Sequence, residues 1–528
     1  MDMKNLLRAV MVLAVLVLAG IAALAFWVGP QVEELARREI AAFADAASIP
    51  GQLQLSAPDV KEISFAPFSR RLTLRGAEMR GEMPSLPGSS LLYTLEEASF
   101  RLPLRVLLLF TPLRNTVLPE KGMLTVCEDM RISNFASVSS LGSISARSMA
   151  RSEEADLIRL ESGLVRELLE GAASRDTLNV FYRMGIRELR VSSMTSSINI
   201  PEQSLRMALD CDSILVRNWE GRITEQASVD GILLKKDDSE LLRLGNITFT
   251  GFTLPEEAAL RELLALADRP RPDRLALQAL LLRMFASGDP LVRKISATDL
   301  RVLLHGQEAS FKNFTLDWPS NTPLKYGFSL DKLSLPTALV ERKSRLSLPG
   351  LPALVLDAQL NFAARGDNAM HEQGTISAQT LGALEYDFVI SGRGASLSPR
   401  ALFASVLSDV RLKYTDQRLT AYLVSNAVPV AQAATPALKA GIAQFCSGDS
   451  PENTALRAAL ETFVTSPGVL EIRSRPGKSF RLLEVTSALA KGNPAALFSV
   501  TAQAGKKSLE EQINALNTAS TPADEVKR

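Results

Sequence analysis

Segments in which apolar and polar residues alternate recur along most of this chain. In VLDAQLNF the two kinds occupy alternate positions: Leu356, Ala358, Leu360 and Phe362 against Asp357, Gln359 and Asn361. A period of two is typical of a β-strand with one buried face, because successive side chains point to opposite sides. The same pattern occurs in LTL (72–74), MLTV (123–126), ELRVSS (188–193), SILVRNW (213–219), NITFTGF (246–252), SFKNFTLDW (310–318), YGFSLDKLSL (326–335), GTISA (374–378), LEYDFVISG (384–392) and VRLKY (410–414). The alternation predicts many short antiparallel strands.

Helical segments interrupt this pattern. Residues 31–48 carry apolar residues near helical spacing, and Thr253–Glu256 has the sequence of a capping box before a helical segment at 256–268. Residues 273–289 predict another helix, and residues 434–465 predict a helical region broken near SGDSP. The predicted fold class is therefore α+β, a β-rich region of many short antiparallel strands with interspersed helices.

A helix end, a Gly/Asp/Pro stop and a strand follow one another in residues 173–193, 286–304 and 491–504. Units of this kind expose apolar faces until they stack on neighbours, so a true repeat predicts an extended, curved sheet. Ordinary α+β chains also produce such coincidences. Both interpretations are open at this point.

Residues 9–28 form an uncharged, almost wholly apolar segment. As a helix it spans about 30 Å, the thickness of a bilayer core. Lys4 and Arg8 precede it, which predicts a cytoplasmic tip at 1–8 and export of the remainder. The predicted location is the inner (cytoplasmic) membrane, single-pass, with most of the chain periplasmic. The alternative is a signal peptide cleaved after Ala23-Leu24-Ala25.

The exported part divides by composition into five regions. They are a β-rich region at 29–150, an α+β region at 151–290, a β-rich region at 291–425, a helical and short-strand region at 426–505 and a polar tail at 506–528. A length of 528 residues exceeds what one hydrophobic core usually organises, so several domains are expected.

The charge balance argues against nucleic acid as a partner. The chain has 59 Lys and Arg against 58 Asp and Glu, so no basic excess is available for a phosphate backbone. Cys127, Cys211 and Cys446 lie far apart and are odd in number. This pattern favours small buried thiols, with one Cys127–Cys211 bridge as the alternative.

The sequence contains no motif of a known chemistry. His305 follows a strand and is expected in a turn, and His371 falls in a polar segment that predicts a solvated loop. Neither has the spacing of a zinc ligand. The adjacent carboxylates Asp237-Asp238, Glu153-Glu154 and Glu510-Glu511 are expected on solvated surface. We therefore predict no catalytic, cofactor-binding or metal-binding residue.

Residues 1–133 combine a short tip, an apolar helix, a juxtamembrane helix and the segments RRLTLRGAEM, LEEASFRLPLRVLLLF and GMLTVCEDMRI. In this order of parts the chain resembles the AsmA-like family of inner-membrane-anchored envelope proteins. The resemblance implies a long, curved β-sheet with an apolar inner face and a non-catalytic role in lipid transport or outer-membrane homeostasis. It covers about a quarter of the chain. No functional residue carries over, and residues 254–287 and 434–465 predict more helix than a plain β-groove needs.

Three functions follow as hypotheses. The first is a membrane-anchored envelope protein that handles lipid or maintains the envelope without catalysis, with membrane lipids and other envelope proteins as partners. The second is a structural scaffold or interaction protein with a closed core. The third is an extracytoplasmic hydrolase. An open apolar groove distinguishes the first from the second, and a concave site with convergent ionisable groups distinguishes the third.

Overall fold

The computed structural model describes residues 28–48, 54–84, 88–170, 177–267, 291–321, 324–344, 347–365, 369–392, 405–428 and 430–520. The chain divides into two compact units, residues 1–287 (unit 1) and residues 288–528 (unit 2). Each unit is built on antiparallel strands with added helices. The β-rich α+β class predicted from the sequence is confirmed.

Unit 1 is a meander of long strands. They are β1 Gln54–Leu55, β2 Asp59–Ala66, β3 Arg71–Glu82, β4 Ser89–Arg101, β5 Met123–Leu141, β6 Ile144–Glu161, β7 Met184–Ile200, β8 Leu205–Glu220, β9 Ile223–Lys236 and β10 Ser239–Thr253. From β2 to β10 each strand pairs antiparallel with the next one in sequence. Strand β1 pairs with the last residues of β3.

The helices of unit 1 are inserted mainly at one end of this meander. In the part of the unit that the structure describes, they are α1 Gly29–Ala47, α2 Leu104–Leu107, α3 Arg114–Val117, α4 Ser162–Glu170, α5 Thr177–Tyr182 and α6 Glu257–Ala267. Helices α2 to α5 lie in the connections β4–β5 and β6–β7, whereas short turns close the opposite end. At the end that carries the helices, Leu109, Leu118, Leu124 and Val165 form a buried cluster.

Helix α1 lies against the edge of the sheet. Val28 and Val32 pack on Phe65 of β2 and on Leu107. The Glu33 carboxylate accepts a hydrogen bond of 2.9 Å from the Phe65 backbone N–H. An edge strand exposes unpaired backbone groups, so this contact protects the first full strand of the meander.

The helices predicted at 31–48 and 256–268 are confirmed as α1 and α6. The capping box is wrong, because Thr253 is still the last residue of β10 and α6 begins only at Glu257. Residues 273–289 lie outside the described residues.

The strands of unit 1 bend at residues with left-handed backbone conformation. Gly76, Asn134, Ser193 and Gly231 have φ between 51° and 63°. They lie in alternate strands of the meander and at matching positions, where the ladder leaves one residue of each strand unpaired. Elsewhere in a strand, apolar residues of one side are two positions apart, but across such a bend they are three apart, as in Leu74 and Ala77 on either side of Gly76. A left-handed residue therefore shifts the alternation by one.

These bends correct the expectation of short strands. Strand β5 has 19 residues and β6 has 18. Because each bend interrupts the period of two, one long strand shows only part of its length as clean alternation. The predicted segment ELRVSS ends at Ser193, which is the bend of β7.

Unit 2 repeats the meander with shorter strands. They are β11 Val292–Leu304, β12 Gln307–Asn321, β13 Leu324–Pro336, β14 Ala353–Ala364, β15 Ala369–Ala378, β16 Gly382–Ser391, β17 Val406–Asp416, β18 Val469–Ser474, β19 Phe480–Arg481 and β20 Phe498–Gln503. Strands β11 to β18 pair in sequence order, and β20 pairs with β18. Strand β19 pairs with the start of β17.

The C-terminal part of unit 2 carries a layer of helices. Among the described residues of the unit, the helices are α7 Thr337–Ser344, α8 Leu419–Ala427, α9 Ala431–Phe445, α10 Pro451–Thr465, α11 Leu482–Ala490 and α12 Leu509–Ser520. Helices α9 and α10 confirm the broken helical region predicted at 434–465. Helices α8, α9 and α12 enclose one core, in which Ala421, Ala434, Leu509 and Ile513 are fully buried.

Helix α12 differs from the polar tail expected at 506–528. Leu509, Ile513 and Leu516 stand at helical spacing and pack against α8 and α9. Three apolar residues on one helical face are enough to dock a segment that is otherwise polar. Residues 521–528 lie outside the described residues.

Within the described residues, no helix is long and apolar enough to cross a membrane. The predicted span at 9–28 lies outside those residues except for Val28. Val28 is buried against Phe65 and Leu107.

Candidate functional site

Two rows of apolar side chains cross the sheet of unit 1 from β2 to β10. In register, the first row is Ile63, Leu74, Ala98, Ile132, Glu153, Val191, Ile214, Val229 and Ile247, and the second is Phe65, Leu72, Phe100, Met130, Ala155, Leu189, Val216, Ala227 and Phe249. Residues opposite each other in an antiparallel ladder point to the same side. Seventeen of these eighteen residues are apolar. We call this surface the apolar face of unit 1.

The other side of the same sheet is polar. The row beside the first apolar row, on the side away from the second, consists of Glu62, Arg75, Glu97, Ser133, Ser152, Ser192, Ser213, Asp230 and Asn246. Its members bond to one another, for example from Arg75 Nε to Glu97 at 3.0 Å and from Ser213 Oγ to Asp230 at 2.9 Å. This side of the sheet is therefore a satisfied, water-facing surface.

The apolar face of unit 1 is only partly buried. Ile63, Phe65, Ala98 and Ala155 are buried, whereas the other fourteen members keep an intermediate exposure. In a closed core, residues of this kind are usually fully buried. The face therefore presents a continuous apolar surface with room for further contacts.

The sheet of unit 2 has the same construction. Its first row is Ile295, Leu316, Phe328, Leu360, Gly374, Tyr386, Leu412, Ile472 and Val500, and its second is Ala297, Phe314, Leu330, Ala358, Ile376, Leu384, Tyr414, Leu470 and Ala502. This is the apolar face of unit 2. It includes Ala358 and Leu360 of VLDAQLNF, as predicted. Gln359 and Asn361, which alternate with them, are exposed on the other side of the sheet.

Aromatic rings distinguish the apolar face of unit 2, which continues beside its first row into a third row of Tyr326, Phe362, Glu372 and Phe388. Tyr326 and Phe362 stack with ring centres 4.2 Å apart, and Tyr386 and Phe388 stack at 5.6 Å. Trp318 continues the group, with its ring 6.1 Å from Tyr326. Burial raises the pKa values of Tyr326 and Tyr386 to about 12, and the nearby Glu372 carboxylate adds to both shifts. Both hydroxyls therefore remain protonated at neutral pH.

Part of the apolar face of unit 2 is covered by helix α10. Phe463 is buried and lies edge-on to Tyr414, with ring centres 5.9 Å apart. The Tyr414 hydroxyl donates a hydrogen bond of 2.6 Å to Asp416. Burial and this hydrogen bond raise the pKa of Tyr414. The C-terminal strands therefore belong to a closed core.

Each apolar face contains one carboxylate. Glu153 stands between Ile132 and Val191 in the first row of unit 1. Glu372 of β15 stands between Phe362 and Phe388 in unit 2. Desolvation raises the pKa of both carboxyls. The solvated surroundings expected for Glu153-Glu154 are therefore wrong for Glu153, whereas Glu154 is exposed.

The two histidines occupy structural positions. His305 and Gly306 form the two-residue hairpin between β11 and β12, with φ values of 52° and 79°, which confirms the predicted turn. The solvated loop predicted for His371 is wrong. His371 lies in β15, and its Nε2 is 2.6 Å from an Asp387 carboxylate oxygen across the strand pair.

The three cysteines are free and buried. The alternative Cys127–Cys211 bridge is wrong, because these residues belong to β5 and β8, which are not neighbouring strands. Burial raises the pKa of each thiol. These residues act as small apolar side chains, as expected.

A cavity of about 630 Å³ in unit 2 is lined by residues that include Asp416, Arg418, Gln512 and Leu516. Asp416 accepts hydrogen bonds of 2.8 Å from both the backbone N–H and the hydroxyl of Thr420 at the start of α8. This carboxylate therefore caps a helix. Across the described parts of both units, no group of His, Cys, Asp or Glu is arranged to hold a metal ion.

The fold and its surfaces define a β-rich protein of two antiparallel meanders, each with one apolar and one polar side. No family model, curated protein or solved structure matches the chain. The likeness to AsmA-like proteins therefore rests on the N-terminal sequence pattern.

Proposed function

We propose that this protein is a membrane-anchored envelope protein that binds the acyl chains of membrane lipids and takes part in lipid handling or envelope homeostasis without catalysis. The supporting observation is the apolar face of unit 1, two rows that cross nine strands with most side chains at intermediate exposure. An exposed apolar surface of this extent is typical of a binding site.

The length of the face suits an acyl chain. Neighbouring strands are about 4.8 Å apart, so nine strands extend over roughly 38 Å. A lipid tail lying across the strands would contact aliphatic side chains throughout, and the polar side of the sheet would remain in water. In this proposal the apolar segment at 9–28 anchors the chain in the inner membrane, with the bulk of the chain in the periplasm.

Lipid binding can be tested with one pair of variants. Ile214→Asp places a carboxylate in the middle of the apolar face, between Val191 and Val229. Ser192→Asp places one on the polar side, between Ser152 and Ser213. We expect Ile214→Asp to reduce the phospholipid that co-purifies with the chain several-fold, and Ser192→Asp to leave it unchanged. Thermal unfolding of both variants shows whether each remains folded.

The structural scaffold is the second candidate, and the helical layer of unit 2 favours it. Leu509 and Ile513 are fully buried, and Phe463 closes the face at β17. If Ile214→Asp lowers the unfolding temperature while the amount of co-purifying lipid stays at the level of the parent, the face of unit 1 is a closed core and the scaffold hypothesis replaces lipid binding.

A further inference from the structure

Glu372 is flanked by aromatic residues on the apolar face of unit 2. Its neighbours across the ladder are Phe362 on β14 and Phe388 on β16. Each of these rings stacks on a tyrosine, Tyr326 at 4.2 Å and Tyr386 at 5.6 Å. We call Glu372 and these four rings the aromatic cage.

The negative charge in the cage has no positive partner among the described residues. The Glu372 carboxylate accepts a hydrogen bond from the Tyr386 hydroxyl, which lowers its pKa. Desolvation has the larger effect, so the pKa of Glu372 is raised. On the polar side of the same strands, carboxylates pair with cations. Glu385 binds Lys413 at 2.8 Å, and Glu471 binds Arg411 at 2.9 Å. Glu372 therefore has no cationic side chain paired with it on this face in the described part of unit 2.

We infer that the aromatic cage binds the ammonium group of a lipid headgroup. An ammonium ion is attracted to the faces of aromatic rings and to a carboxylate, and both attractions strengthen when water is excluded. A neutral or anionic headgroup gains neither. Tyr326, Phe362, Tyr386 and Phe388 supply the rings, and Glu372 supplies the charge.

The position of the cage suits a headgroup whose tails lie on the apolar face. Glu372 is the fourth residue of β15 and lies near the start of the strand. Farther along the same side of β15 come Gly374 and Ile376, flanked by Leu360 and Leu384 on the neighbouring strands. A lipid with its ammonium in the cage would therefore extend its tails over apolar side chains. This inference rests on the proposed binding of acyl chains and extends it from the apolar face of unit 1 to the apolar face of unit 2.

The test compares three lipids with identical acyl chains: phosphatidylethanolamine, which has an ammonium group, diacylglycerol, which is uncharged, and phosphatidylglycerol, which is anionic. Binding of each to the full chain is measured by competition with a fluorescent fatty-acyl probe. We expect a preference of roughly tenfold for phosphatidylethanolamine over diacylglycerol, and weaker binding of phosphatidylglycerol.

Two substitutions assign this preference to the cage. Glu372→Gln keeps the shape and removes the charge, and we expect it to lose most of the preference for phosphatidylethanolamine over diacylglycerol, with the attraction to the rings remaining. Phe388→Leu removes one ring and should reduce the preference severalfold. Glu153→Gln is the matched control, since it removes the carboxylate that lies among aliphatic side chains in unit 1. It should keep the preference of the parent.

The outcomes separate this inference from the proposed function. If the parent binds all three lipids with equal affinity, or if Glu372→Gln retains the preference, the ammonium site is wrong and acyl-chain binding stands. If none of the three lipids displaces the probe from the parent, the acyl-chain binding proposal is wrong, and the ammonium site is wrong with it.

Discussion

The two units use the same sheet construction with different side chains. The apolar face of unit 1 is mainly aliphatic and is buried chiefly near the edge strand and the helical end. The apolar face of unit 2 carries the ring pairs Tyr326–Phe362 and Tyr386–Phe388, and helix α10 covers its C-terminal strands. The same sheet architecture therefore forms two different surfaces. One is mainly aliphatic and partly exposed, and the other is aromatic and partly covered by a helix.

This difference teaches that alternation along a strand sets which side is apolar, whereas the connections decide how much of that side is covered. Unit 1 has short helices in its strand connections, such as α2 and α3 with four residues each. Unit 2 has helices of up to fifteen residues after β17. Only the longer helices provide a second layer.

The largest expected effect contrasts two isoleucines. Ile513 of α12 is fully buried, and Ile214 of β8 has intermediate exposure on the apolar face of unit 1. Ile513→Ala removes buried methyl groups and leaves a cavity, so it should lower the free energy of unfolding by about 2–5 kcal/mol. Ile214→Ala should lower it by about 1 kcal/mol. Denaturant unfolding measures both. Equal losses would show that the face of unit 1 is as closed as the core of unit 2.

The next effect tests the packing of the aromatic face. Gly374 lies under the ring of Tyr386, and a Cβ there would be 2.8 Å from that ring and 2.7 Å from the Gln359 carbonyl oxygen. Gly374→Ala should therefore destabilise unit 2 by about 1–3 kcal/mol. Gly441→Ala in α9 is the control, because no atom other than the neighbouring backbone of its own helix lies within 4 Å of its added Cβ. This helical substitution should stabilise by up to about 1 kcal/mol. A neutral Gly374→Ala in thermal unfolding would mean that the ring is free to move away.

The smallest effect concerns the carboxylate in the aliphatic face. Burial raises the pKa of Glu153 above its ordinary value of 4.5. The folded state therefore disfavours the ionised form, and the free energy of unfolding of the parent falls as the pH rises from 4.5 through the raised pKa. Glu153→Gln removes this loss. The variant should unfold at a higher temperature than the parent near neutral pH and lose that advantage in acid.

Glu154→Gln serves as the control for this measurement, since Glu154 is exposed at the adjacent position of β6. Its unfolding temperature should follow that of the parent across the pH range. If Glu153→Gln also follows the parent, the carboxylate is solvated, and the first row of unit 1 is open to water at β6.

Much of the strand pattern was available from the sequence. The segment VLDAQLNF predicts the two sides of β14, because a period of two fixes side-chain direction without knowledge of the partner strands. The lengths of the strands were not available. Asn134 and Ser193 adopt left-handed conformations inside strands. Asparagine is only a weak sequence signal of such a bend, and serine is none.

The positions of the carboxylates in the apolar faces also required the structure. Glu372 is followed by Gln373 and preceded by His371, so its local sequence is polar. Only the register brings Phe362 and Phe388 to either side of it. Helix α12 is a different case. The helical spacing of Leu509, Ile513 and Leu516 is present in the sequence, but the polar composition of the segment favoured a tail over a packed helix.

The aligned bends of unit 1 limit how such a sheet can change during evolution. Asn134 of β5 stands opposite unpaired positions on β4 and β6. Deleting that single residue would shift half of β5 by one position against both neighbours and bring its side chains to the wrong partners. We expect substitutions that keep the apolar or polar character of a position to leave the register of these strands intact, and changes in chain length to be accommodated in hairpin turns and helical connections. The side chains of the sheet can then vary while the residue count of each strand stays fixed.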